Sequence, residues 1–209
     1  MRDVLFLVAD KNMEAMIKGF FSRPGFHRAL GCGSFVFDAR QDLVVAHGLA
    51  DPGLYTRANE LLQPYARTHA HAVVMLDVDW DGSPGLQLIK NRIDGHLARA
   101  GWPADRGCAV VIHPELENWV WQDSPHVSSA LGFEHTYAEL RRLLEGQGFW
   151  APDASKPHRP KEAVEWALRR SKTSRSSAIY QQLAAQVSTR RCNDSAFLAL
   201  SGALSRWFP

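Results

Sequence analysis

Ala72-Val73-Val74-Met75-Leu76-Asp77-Val78-Asp79-Trp80-Asp81-Gly82 is the stretch whose reading decides the fold. Five apolar residues without polar alternation are the pattern of a strand buried on both faces, and the acids and glycine that follow close it in a turn. Downstream, Leu86, Ile89, Ile93, Leu97 and Ala100 recur at helical spacing, and Cys108-Ala109-Val110-Val111-Ile112 is a second buried run ended by His113-Pro114. Upstream, Leu54, Ala58, Leu61, Leu62 and Tyr65 make a helical stripe, and Ser34–Phe37 reads as a short strand. Met13, Met16, Ile17, Phe20 and Phe21 make another stripe, and Val4-Leu5-Phe6-Leu7-Val8 is a third buried run. Strands alternating with helices across long crossovers predict an α/β fold, a Rossmann-like parallel sheet of about four strands flanked by helices.

After residue 115 the strand patterns stop. Glu115–Trp121, Tyr137–Leu144, Lys161–Arg170, Ser177–Ser188 and Ala196–Trp207 read as helices, with Ala151–Pro160 as a linker. The expected division is an α/β domain over 1–150 and a basic helical subdomain over 151–209. Charge follows the same boundary. The 209 residues carry a net +2, but residues 1–150 hold 14 basic and 18 acidic side chains, while 151–209 hold 10 and 4. That balance argues against a surface that coats nucleic acid everywhere and allows one localised anion contact. Three scattered cysteines without a CxxC pair argue against a disulfide framework or thiolate zinc site. No apolar run approaches the ~20 residues of a membrane span, so a cytoplasmic protein without membrane contact is expected.

The acids gather where an open parallel sheet binds its ligands, beyond the carboxyl ends of the strands. Asp10 follows the first strand, Asp77 and Asp79 follow the central one, and Glu115 and Glu117 follow the last. Taken singly, each is an ordinary turn or cap residue. Their coincidence at three strand ends points to a hard divalent cation, Mg2+ or Mn2+, offsetting their mutual repulsion. Such an ion could orient a phosphodiester and activate water.

At these residues the sequence resembles Toprim-type domains, the metal-binding α/β modules of primases, topoisomerases and OLD-type nucleases. Asp77-Val78-Asp79 is similar to their Asp-x-Asp, and Glu115-Leu116-Glu117-Asn118-Trp119 to the Glu-x-Trp of small stand-alone Toprim-like proteins from prokaryotic defence islands. Lys156-Pro157, Pro160-Lys161-Glu162-Ala163, Arg175-Ser176-Ser177-Ala178-Ile179-Tyr180 and Arg191-Cys192-Asn193-Asp194-Ser195-Ala196-Phe197 also resemble segments of those proteins, as does the ending Trp207-Phe208-Pro209. The resemblance implies a nuclease of anti-phage defence, partnered by other defence-system proteins. Asp77, Asp79 and Glu117 would hold the metal with Glu115 or Asp10 as a further ligand. The family's first motif reads Val-Glu-Gly with a catalytic Glu, whereas Val8-Ala9-Asp10 stands here; Asp10 or Glu14 would then act as general base.

Lys161, Arg169, Arg170, Lys172 and Arg175 are the candidate contacts to a nucleic-acid backbone. Ser176 reads as an N-cap that would add a helix N-terminus to that patch. The competing expectation is a binding or assembly subunit whose acidic pocket no longer does chemistry, with Trp207-Phe208-Pro209 as an exposed aromatic anchor.

Overall fold

The computed structural model describes residues 1–190 and 192–209; Arg191 lies outside the described residues. Four strands, β1 (Arg2–Val8), β2 (Leu43–Val45), β3 (His69–Asp77) and β4 (Gly107–Ile112), form one all-parallel sheet in the order β2-β1-β3-β4. Val4 to Val8 and Ala72 to Leu76 are fully buried, as their unbroken apolar runs require. In register, Val8 faces Met75 and Leu76 faces Val111.

The second strand is not the expected one. Among the described residues Ser34–Phe37 makes no ladder, and Leu43–Val45 takes the place beside β1 instead. The in–out alternation of 34–37 is real: Phe35 is buried and Phe37 rests 4.5 Å from Phe21, while Val36 is 68% exposed. Its backbone is tied to a side chain instead, the Val36 N–H donating to Asp3 Oδ2 at 2.7 Å.

Helices α1 (Lys11–Phe21), α2 (Phe26–Leu30), α3 (Ala50–Leu62) and α4 (Leu86–Ala100) connect the strands. Phe21 of α1 meets Phe6 of β1 at 5.0 Å. Helices α3 and α4 pack on each other, and α4 lies against β4. The expected helix over Glu115–Trp121 is a single turn, α5 (Glu117–Val120), followed by α6 (Pro125–Ala130) and α7 (Tyr137–Gly146).

The C-terminal helices α8 (Pro160–Ser171), α9 (Ser177–Gln186) and α10 (Ser195–Trp207) share the hydrophobic core with the sheet. Helix α9 lies against α1 so closely that a Cβ on Gly19 would stand 2.1 Å from the Gln181 carbonyl oxygen. The loop before α8 is tied down as well: Lys156 donates to the Asn118 carbonyl at 2.7 Å, and Trp150 Nε1–H to the Ala154 carbonyl at 2.9 Å. Among the described residues, no helix is long and apolar enough to cross a membrane.

The aromatic ending is docked within the chain rather than offered outward. Trp207 stacks on His71 at 4.6 Å, Phe208 on Phe35 at 4.5 Å, and the Phe208 carbonyl accepts from the Gly33 N–H.

Candidate functional site

From β1 the chain passes to β2 on one side, then crosses back to β3 and β4 on the other. The strand order therefore reverses between β1 and β3, and their carboxyl ends flank the crevice where such sheets bind ligands. Asp10 stands at the end of β1 as the N-cap of α1, its Oδ1 accepting from the Asn12 and Met13 N–H groups, both at 2.8 Å. Asp77 is the last residue of β3.

Asp77 is the unusual group. Its Oδ1 is buried and, among the described residues, has no hydrogen-bond partner. Burial holds its carboxyl well above the ordinary carboxylate range, and the charges of Asp51, Glu117 and Asp10 push it the same way, against a backbone N–H from Leu116. A buried acceptor without a donor, among like charges, is the electrostatic condition a cation would relieve.

Asp51 was not among the residues expected from the sequence, yet it is central. It lies in the first turn of α3, and its Oδ1 accepts from the Asp77 N–H at 2.7 Å. Burial raises its carboxyl, aided by Asp10 and opposed by that Asp77 N–H. The rule that ligands lie beyond strand ends would have found it. With the second strand placed at 34–37 rather than 43–45, Asp51 sat too far along the chain to be counted.

The loop after β4 brings Glu115 and Glu117, 7% and 4% exposed. Burial, then the charge of Glu117, pushes Glu115 up to about 7, against the Lys161 N–H at 3.0 Å and the Lys161 ammonium at 3.8 Å. Glu117 Oε1 accepts from the Tyr180 hydroxyl at 2.5 Å and lies 3.6 Å from the Arg175 guanidinium, which also meets Glu165 at 2.6 Å.

Asp77 thus feels the charges of Asp51, Glu117 and Asp10, Asp51 feels that of Asp10, and Glu115 that of Glu117. Asp79 and Glu14 are not among the leading charges on Asp77 or Asp51. The Val78 N–H bonds the Ile112 carbonyl of β4 at 2.9 Å, the Asp79 N–H turns to the Pro114 carbonyl at 3.1 Å, and Asp79 is exposed. Glu14 is one turn along α1, ion-paired with Lys18. Of the basic residues, Lys161 and Arg175 already pair with the acids. Arg169 lies 3.8 Å from Glu165, and Arg169, Arg170 and Lys172 are exposed around the end of α8.

Every candidate donor here is a carboxylate oxygen, the chemistry of Mg2+ and Mn2+ sites, and the orphaned Asp77 Oδ1 fits such an ion. Among the described residues, no three His, Cys, Asp or Glu side chains are gathered into a ready chelate.

The fold and the crevice together define a Rossmann-like α/β protein with an acidic cluster at its topological switch point. Comparison with protein-family models, with curated proteins and with solved structures finds no match to this chain.

Proposed function

We propose that the chain is a divalent-cation-dependent phosphodiesterase acting on nucleic acid. The observation that carries this reading is the buried, unpartnered Oδ1 of Asp77 between Asp51, Glu117 and Asp10 at the switch point. Asp77, Asp51 and Glu117 would hold Mg2+ or Mn2+, with Asp10 or Glu115 as a further ligand. When bound, the ion would polarise a phosphodiester and supply a water of lowered pKa. Asp10 is the carboxylate left to take a proton, since Ala9 fills the position of the family's Glu and is itself buried.

The anion half of the site would come from Lys172, Arg175 and the N-terminus of α9. Ser176 caps that helix and its first turn adjoins the Glu117 contact. Such contacts position a phosphate backbone without reading sequence. The Toprim-like resemblance sets this activity in cytoplasmic anti-phage defence.

Purified protein with Mn2+ or Mg2+ is expected to nick supercoiled DNA or degrade RNA, and Asp77→Asn is expected to abolish this. Equal activity in the variant overturns the assignment.

A second reading, a non-catalytic assembly subunit, is favoured by one observation: Glu115 and Glu117 already have protein cations, Lys161 and Arg175, as partners. A melting temperature unmoved by millimolar Mn2+ and Mg2+ would select it.

A further inference from the structure

We propose that Tyr180 is the positioning residue of Glu117, so that α9 is part of the acidic site. Glu117 is the first residue of α5, a single turn whose N-cap, Leu116, makes no side-chain capping bond. One turn of helix is too short to fix its leading side chain by its own backbone. The restraint comes from 63 residues further along the chain, where the Tyr180 hydroxyl donates to Glu117 Oε1 at 2.5 Å with both residues buried.

A hydroxyl bonded to a charged acceptor in dry surroundings is about twice as strong as a neutral pair. Arg175, five residues before Tyr180, approaches the same carboxylate at 3.6 Å and is itself held by Glu165 at 2.6 Å. Glu117 is thus confined by one directional bond and one charge. Both come from the segment Arg175-Ser176-Ser177-Ala178-Ile179-Tyr180. Tyr180 cannot wander, because Ile179, Tyr180 and Leu183 are buried and α9 is seated on α1 at Gly19. The function of this lock rests on the cation reading of the crevice; the lock itself does not.

Two measurements test it separately. In Mn2+ titrations followed by electron paramagnetic resonance, Tyr180→Phe, which keeps the ring, is expected to weaken binding about tenfold, the worth of one hydrogen bond to a charged group. Glu117→Gln and the double variant Tyr180→Phe/Glu117→Gln are expected to bind alike, because the hydroxyl acts only through the carboxylate. Unchanged affinity in Tyr180→Phe, or losses that multiply in the double variant, overturns the proposal. Independently of metal, proton NMR is expected to show a protected hydroxyl resonance that vanishes in Tyr180→Phe and shifts in Glu117→Gln. Its absence from the wild type overturns the lock. Its presence in a wild type that binds no Mn2+ overturns the cation reading and leaves the lock standing.

Discussion

The Asp77 N–H donates to the Asp51 carboxylate at 2.7 Å, which ties the last residue of β3 to the first turn of α3. Two acids that repel are held together by a backbone donor belonging to one of them. Asp51 therefore has two separable roles, an acceptor for a backbone N–H and a charge facing the crevice. Asp51→Ala removes both, leaving a partly buried donor unsatisfied at a cost of about 1–3 kcal/mol. Asp51→Asn keeps an acceptor oxygen and removes the charge, so urea unfolding in metal-free buffer is expected to show it near wild type or above. A destabilised Asn variant would mean that the charge, rather than the acceptor, holds the two elements together.

Glu115 gives the site a pH dependence with a definite sign. Its carboxyl is pushed up to about 7, so between the ordinary value of 4.5 and that point the folded chain keeps a proton that the unfolded chain has lost. Its contribution to stability therefore falls as pH rises through that window. His71 and His96, both lowered from 6.5 by burial, act oppositely, because the unfolded chain takes up their protons first as pH falls. Comparing Glu115→Gln with wild type cancels these terms. The two are expected to melt together at pH 4, below both values, with the variant higher at pH 8 by about 1–3 kcal/mol, each kcal/mol being about 2–4 °C in Tm. A gap of the same size at both pH values would show that burial does not raise the carboxyl.

What was legible in the sequence divides along physical lines. The three long buried runs and the helical stripes identified β1, β3, β4 and the helices around them, because burial on both faces leaves no room for polar residues. β2 escaped because it is three half-buried residues, while 34–37 imitated a strand by sending two phenylalanines inward from a loop. The acids at strand ends were visible as a pattern, and the charges of Asp10 and Glu117 reach Asp77 while that of Glu117 reaches Glu115. Asp79, two residues past the end of β3, is exposed. The tyrosine on Glu117 had no sequence signal by spacing: a contact across 63 residues is set by packing.

Gly19 controls how α9 sits, and through it Tyr180. A Cβ there would meet the Gln181 carbonyl oxygen at 2.1 Å, a backbone atom that moves only with its helix. Gly19→Ala is expected to cost about 1–3 kcal/mol in urea unfolding, the usual penalty of overpacking. Gly146, at the end of α7, has no atom of the described residues within 4 Å of the same added atom. Gly146→Ala is expected to be neutral or to stabilise by up to ~1 kcal/mol through helix propensity alone. Equal behaviour of the two variants would show that α9 is not closely seated on α1.

The docked ending is testable through one pair. Trp207 lies flat on His71, with ring centroids 4.6 Å apart and planes 19° from parallel, and its Nε1–H donates to the Asp105 carbonyl at 2.7 Å. His71 is on β3, so the stack fastens the end of α10 to the sheet's central strands. In a double-mutant cycle, His71→Ala and Trp207→Ala are each expected to destabilise. Their coupling is expected to be about 0.5–1.5 kcal/mol, the range for an aromatic pair beyond its area burial. Coupling near zero would favour the competing expectation, an aromatic anchor free to bind a partner. Coupling in the expected range means a partner could use Trp207 only by breaking its contact with the sheet.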